Sequence, residues 1–279
     1  MACYNCRTTD SAYYAEENGY TLIKCAGCGL VYLKNPPGLS EITQAHVQGL
    51  HHGEKTIQTT GKYNPAAIKR YRRVLRDLFP AGFYDNCSWL DIGCGHGEFI
   101  EALTQAGPNS LHIVGSEPNI HKQHSASARG LDVSFIDLDS HERFYNGVSL
   151  LNVYSHLPDP PAFLAKIRNI LAPDGELLLE TGDTARFSAA DHYRPFYLPD
   201  HISFASEEIV TDILRRVGFE IVAVRKYPHP DVELSPVRLG KELIKVFLPH
   251  MKSRLTTLFS DACKYSATDM YIRARKISA

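Results

Sequence analysis

Residues 89–100 read WLDIGCGHGEFI: an apolar run, an acid, three glycines at alternate positions, then the start of an amphipathic pattern. An apolar run that meets glycines and continues with helical periodicity is a strand, a tight turn and a helix. Glycine lets the backbone reverse and leaves the helix N-terminus uncovered. The same alternation recurs downstream. SWLDI (88–92) is a strand and GEFIEALTQAG (97–107) its helix; LHIVGSE (111–117) is a second strand, with a helix around 120–129. LDVSFID (131–137) and GVSLLNV (147–153) read as a third and a fourth strand, and DPPAFLAKIRNILAPDG (159–175) as a helix closed by Pro173 and Gly175. ELLLETG (176–182) is the fifth strand, SEEIVTDILRRVGF (206–219) a capped helix, EIVAVRKY (220–227) the sixth strand, and DMYIRARK (269–276) a seventh after a helix around 235–259. Strands alternating with helices predict an α/β fold with an open, doubly wound, mostly parallel sheet.

In such sheets ligands bind beyond the carboxyl ends of the strands. The positions to inspect are therefore Asp91 to Gly97, Glu117 and Pro118, Asp137 and Leu138, Asn152 to His156, and the loop after Glu180. A dinucleotide fingerprint needs its third glycine one position later than Gly97 stands. Asp91, two residues before Gly93, would also repel a pyrophosphate at this turn. A ligand with an amino group would be favoured by the same carboxylate.

The first 34 residues hold Cys3, Cys6, Cys25 and Cys28, two Cys-x2-Cys knuckles separated by eighteen residues. Four thiolates so spaced suit tetrahedral Zn2+. YTLIKC and GLVYL beside the second knuckle read as short strands, so a two- or three-stranded zinc ribbon is expected, too small for a core of its own. KNPPGLS (34–40) reads as a linker, giving a zinc-ribbon module at 1–38 and a larger domain at 39–279. The 41–82 stretch reads as helical, with Asn64 as N-cap, Pro65 in the first turn and Pro80 and Gly82 as the stop. Thirty basic residues against 31 acidic ones exclude a strongly basic chain built for nucleic acid, and no apolar run is long enough to span a bilayer. The N-terminal stretch has no leader pattern, so a cytoplasmic setting is expected.

The D-x-G-x-G-x-G run with an acid after the second strand resembles the class I S-adenosylmethionine-dependent methyltransferases. The likeness continues through NVYSHLPDP (152–160), with Ser155 in place of the family's glutamate and His156 kept, and ILAPDGELLLE (170–180), with Asp174 in place of a glycine. It implies the seven-stranded methyltransferase fold, S-adenosylmethionine as cofactor, Glu117 at the ribose hydroxyls, Asp137 and Leu138 at the adenine, and Asp91, Gly93, Gly95, Gly97, Pro118 and Asn152 around the rest. The cysteine knuckles make the chain similar to a subgroup with an N-terminal zinc ribbon, among them enzymes that C-methylate keto-deoxysugar nucleotides. In those a histidine after the fifth strand is the base, which corresponds to His201 in LPDHISFAS (198–206).

The resemblance thus implies methyl transfer to the carbon or oxygen of a small biosynthetic intermediate, with His201 as base and Tyr197 and His156 in the same pocket. The aromatic stretch 186–201 is expected to be a lid. The 235–259 helix, apolar among basic residues, is expected to pack on the core or on a second subunit, which would make a homodimer, with contact to a membrane or a lipid-linked substrate as the alternative. An RNA-modifying methyltransferase is the first alternative, and it would need a basic groove. A nicotinamide-dependent dehydrogenase is the second, and it would need the longer glycine spacing.

Overall fold

The computed structural model describes residues 2–83, 85–229 and 264–278. The 235–259 helix therefore lies outside the described residues.

At its centre is a seven-stranded sheet in the order β12-β13-β10-β9-β6-β7-β8. β6 (Ser88–Ile92) leads through α3 (Glu98–Ala106) to β7 (His112–Ser116), and through α4 (Ile120–Ser127) to β8 (Val133–Ser134). The chain then crosses to the other side of β6, where β9 (Tyr145–Leu151) pairs in parallel with it. α5 (Pro160–Ile170) leads to β10 (Leu171–Gly182), and α6 (Glu207–Val217) to β12 (Phe219–Tyr227). β13 (Asp269–Lys276) inserts antiparallel between β10 and β12. The reversal of direction at β6 and β9 opens a crevice beyond their carboxyl ends.

Local sequence explains most of these boundaries. Asn119, Asp159 and Ser206 each accept a hydrogen bond from a first-turn backbone N–H of the helix that follows. Three expected boundaries change. The third strand shrinks to two residues, because only Val133 and Ser134 pair with β7 and Phe135 turns outward, 62% exposed. α5 stops at Ile170, not at Pro173, since Leu171 already pairs with Tyr145. The expected helical stretch 41–82 divides into α1 (Leu39–Gln48), a hairpin of β4 (Leu50–His51) and β5 (Ile57–Gln58), and α2 (Pro65–Leu78), with Gly49 in a left-handed conformation ending α1.

The cysteine-bearing segment forms β1 (Ser11–Glu17), β2 (Tyr20–Cys25) and β3 (Val31–Leu33). Its sheet has a fourth strand from far along the chain. β11 (Ser203–Phe204) pairs antiparallel with β3, Ser203 opposite Tyr32 and Phe204 opposite Val31. The segment also shares the central core, where Cys3, Ile23, Leu30 and Tyr32 cluster with side chains of the large sheet.

The stretch expected to be a lid instead belongs to this junction. Phe196 and Leu198 are fully buried against Tyr14, Leu22 and Leu33. The Glu17 carboxylate accepts from the backbone N–H of Phe196 and of Leu198, at 2.9 and 3.3 Å, and the Asn18 amide donates to the Leu198 carbonyl at 2.8 Å. This packing holds the stretch from Phe196 onward, and Asp200 is its one residue that reaches the cavity beyond the ends of β6, β7 and β9.

Trp89 on β6 lies flat across Gly147 of β9, where a Cβ would come within 2.2 Å of the indole. Gly147→Ala should therefore lower unfolding free energy by about 1–3 kcal/mol. Urea denaturation of the variant checks this, and an unchanged midpoint would refute the close-packing argument.

Candidate active site

Beyond the ends of β6, β7 and β9 lies a cavity of about 520 Å³. Gly93, Gly95 and Gly97 all take positive φ, at 68°, 58° and 91°. Their surroundings differ. A Cβ on Gly93 would meet Val153 at 2.4 Å and one on Gly97 would meet Leu131 at 2.3 Å, whereas nothing lies within 4 Å at Gly95. The outer two glycines thus permit close packing of the turn, and the middle one leaves its space to the cavity.

Asp91 is 1% exposed yet lines the cavity. Trp89 Nε1 donates to Ser149 Oγ at 3.0 Å, and Ser149 Oγ donates to Asp91 Oδ1 at 2.5 Å. Asp91 Oδ2 is buried with no partner in the protein. Burial raises the Asp91 pKa to about 7 against the opposing Ser149 hydrogen bond, with Glu117 and Glu98 adding repulsion. An orphaned acceptor of this kind calls for a donor from a ligand.

Glu117 is held by the backbone. Gly95 N–H donates to its Oε2 and Asn119 N–H to its Oε1, both at 2.8 Å. A carboxylate can accept about four hydrogen bonds, so acceptor capacity remains. Pro118, Leu138 and Asn152 also line the cavity, as does Asp137, whose carboxylate accepts from Asp139 N–H. Of the cofactor positions expected from the sequence, all but Gly97 line this one space.

A second group on the same wall carries histidines. His46 comes from α1, His156 from the single 3-10 turn after β9 (Tyr154–His156), and Asp200 from the residues before β11; all three line the cavity. His156 Nδ1 lies 3.1 Å from Asp200 Oδ1 and 2.8 Å from the Asp200 carbonyl oxygen. His51 Nε2 lies 3.1 Å from the same Oδ1. Burial disfavours a charged His156, but the Asp200 carboxylate and its hydrogen bonds raise the pKa overall. Burial also works against charge on Asp200, yet the surrounding imidazoles hold it well below the ordinary carboxylate range. His46 is lowered to about 4 by burial and by His156.

Two expected residues sit elsewhere. His201 does not line the cavity; its ring packs against His156 at a tilt of 57°, with centroids 4.7 Å apart, and burial and His156 lower its pKa to about 3. Tyr197 is 42% exposed and off the cavity wall, and its carbonyl accepts from Asp200 N–H and His201 N–H. It shapes the turn that carries Asp200. Reading 41–82 as helical hid His46 and His51. The available signal was three histidines within seven residues, His46, His51 and His52.

The four cysteines also converge. Cys3 Sγ lies 3.6 Å from Cys28 Sγ and Cys6 Sγ 3.4 Å from Cys25 Sγ, and all four sulfurs are within 4.8 Å of one another. Zn–S bonds of about 2.3 Å imply tetrahedral edges of about 3.8 Å, so the donor set fits a zinc ion.

A family profile described as a methyltransferase domain matches residues 63–224, more than half of the chain. The chain belongs to the S-adenosylmethionine-dependent methyltransferase family. Among curated proteins, the ubiquinone biosynthesis O-methyltransferase of Saccharophagus degradans is 31% identical over 100 residues, which is 33% of this chain and 42% of that protein. The enzyme of the same description from Rhodopseudomonas palustris is 30% identical over 124 residues, 42% of this chain and 47% of that protein. The chain thus spans less than half the length of these relatives.

Solved structures share the methyltransferase fold. A putative sarcosine dimethylglycine methyltransferase from Galdieria sulphuraria superposes with a TM-score of 0.54 at 12% identity, covering 76% of this chain and 85% of that one. A SAM dependent methyltransferase from Archaeoglobus fulgidus gives 0.51 at 20%, covering 75% and 94%. The cyclase SpnF gives 0.54 at 17%, covering 78% and 85%. A cyclase on the same fold shows that the reaction has to be argued from the site.

With a folded-state pKa near 7 against an ordinary 3.8, Asp91 costs the empty protein nothing at pH 3; the cost grows as pH rises from about 4 to 7 and is complete above it. Asp91→Asn should therefore leave stability unchanged near pH 4 and raise it by a few kcal/mol at pH 8, at roughly 1.4 kcal/mol per unit. Urea midpoints of both proteins at the two pH values check this. Equal midpoints at pH 8 would show that the buried carboxylate carries no such cost.

Proposed function

We propose that this methyltransferase moves the S-adenosylmethionine methyl group to an oxygen or carbon of a small-molecule acceptor bound against the histidine side of the cavity. The observation that carries the reading is the orphaned, buried Asp91 Oδ2 beside the open space at Gly95 and the backbone-held Glu117. Asp91 would hold the cofactor's ammonium, and Glu117 its ribose hydroxyls. Pro118, Asp137, Leu138 and Asn152 would border the nucleoside, with Gly93, Gly95 and Gly97 shaping the turn. The cofactor supplies a methyl group on a cationic sulfur, and the chain's task is to hold an acceptor atom in line behind that carbon.

His156 faces the cavity and is fixed by Asp200, so it is the imidazole that meets the acceptor. His201, expected from the sequence as the base, lies behind His156 and packs its ring. Tyr197 acts through the turn that presents Asp200. A small acceptor accords with the curated relatives, which are described as ubiquinone biosynthesis O-methyltransferases. Among the described residues no helix is long and apolar enough to cross a membrane.

Residues 1–38 are proposed as a zinc-holding unit whose role is to brace the acceptor side, with Cys3, Cys6, Cys25 and Cys28 as ligands. β3, Glu17 and Asn18 grip residues 196–204, so an ion that folds the ribbon also positions Asp200.

Calorimetric titration should show S-adenosylmethionine, and not NAD, bound by the wild type. His156→Ala should keep that affinity while methyl transfer to a panel of hydroxylated and keto acceptors falls at least about 100-fold, the loss expected when a group that positions or activates the acceptor is removed. Full turnover in His156→Ala would sink the assignment, and absent cofactor binding would sink the reading as a whole. Stripping zinc with a chelator, or Cys6→Ser, should raise hydrogen exchange in residues 11–33 and 196–204 together; exchange confined to the cysteine segment would separate the ribbon from the site.

A further inference from the structure

We propose that His46, His156 and Asp200 form a second metal centre, holding a divalent transition-metal ion on the acceptor side of the cofactor cavity. The inference rests on the methyltransferase reading and specifies how His156 meets the acceptor. One donor atom from each of the three residues lies within 4.8 Å of the other two. The donors come from three separate segments: α1, the 3-10 turn after β9, and the residues leading into β11. Such convergence takes a long-range fold. It does not follow from local spacing.

The donor chemistry narrows the ion. Two imidazoles and one carboxylate suit zinc, iron(II), cobalt(II) or manganese(II), and are a poor match for magnesium or calcium, which prefer all-oxygen shells. Three protein ligands leave coordination positions open, and because all three residues line the cavity, the open positions face the bound cofactor's compartment.

The groups around the ligands have the form such a centre needs. His51 Nε2 sits 3.1 Å from Asp200 Oδ1 and its ring centroid 5.4 Å from that of His46, so it touches the carboxylate and one imidazole ligand. The His201 ring packs against His156 with centroids 4.7 Å apart and limits the room that ring has to turn. Partners that orient metal ligands in this way tune affinity. Lys122 on the same wall adds a positive charge that favours an anionic oxygen in the remaining positions.

The ligand class follows. An acceptor with a hydroxyl beside a second oxygen could fill two open positions. The ion would lower the hydroxyl pKa, so the proton leaves to water. The oxygen then forms its bond to the methyl carbon as the carbon–sulfur bond breaks, and the sulfonium becomes a neutral thioether. This mode needs no strongly basic imidazole on the wall.

Cobalt(II) titration of the metal-free full chain, followed by visible absorption, tests the proposal. Thiolate ligands give intense charge-transfer bands that an imidazole and carboxylate site lacks. The expected result is a component of weak d–d bands without thiolate charge transfer, beyond whatever the cysteines bind. That component should vanish in His46→Ala and weaken by about 10–100-fold in His51→Ala. S-adenosylmethionine affinity, measured on the same samples, should stay unchanged. A wild type showing only thiolate-type cobalt would overturn the second centre, as would a His46→Ala protein that keeps both components. Either result with intact cofactor binding leaves the methyltransferase reading standing, whereas lost cofactor binding in the wild type would instead strike that reading.

Discussion

The pairing of two residues, Ser203 and Phe204, with Tyr32 and Val31 ties the cysteine segment to the chain just after Asp200 and so places the histidine side of the cavity. A segment of some thirty residues cannot bury enough apolar surface to fold alone, and it needs metal, a partner surface or both. Here the partner surface is the chain's own later half. Ile202 N–H donates to the Ser155 carbonyl at 2.8 Å while Leu33 N–H donates to the Ile202 carbonyl at 3.0 Å, so one residue joins the ribbon to the 3-10 turn of His156. His156 and Asp200 meet because both flank this seam.

The cofactor side depends on a different constraint, the topological reversal at β6. Two parallel neighbours leave the ends of β6 open, and only a turn with no Cβ at Gly93 and Gly97 can pass Val153 and Leu131 there. The consequence is electrostatic. Asp91 and Glu117 are brought into one buried region, where burial and the neighbouring Glu117 carboxylate raise the cost of ionising Asp91. A ligand carrying an ammonium lowers that cost, and this is why the glycine turn and the acid belong to one argument.

These two sides were unequally legible in the sequence. The glycine turn, Glu117 and the strand–helix alternation are local patterns, and period and turn chemistry suffice to read them. The histidine side is not local. β11 has two residues and no periodicity, so neither its partner nor the position of Asp200 could be read in advance. His201 stands in a run similar to a known one, while His156, the neighbouring ring, holds the cavity wall. His46 was hidden by an unbroken helical reading across Gly49, although a left-handed residue at that point is the usual end of a helix. The extent of β8 fell short of its pattern for a similar reason. Edge strands are set by what they pair with, and Phe135 and Ile136 leave the edge to border the cavity, the Ile136 N–H turning to the Ser116 hydroxyl at 3.1 Å.

The basic face of α2 shows why charge runs read poorly as function. Arg70 pairs with the buried Asp269 at 3.2 Å, and Arg73 lies over the Tyr227 ring, its guanidinium carbon 4.6 Å from the centroid. These cations are satisfied within the fold and tie α2 to β12 and β13. The cavity holds groups of another kind: an acid with one oxygen left without a donor beside the glycine turn, and imidazoles around a single carboxylate where the cysteine segment meets β11. Methyl transfer from a cationic sulfonium needs a place for the donor and a place for an acceptor within one compartment, and these two groups share one cavity. Strand order places the first group, and the pairing of β3 with β11 places the second.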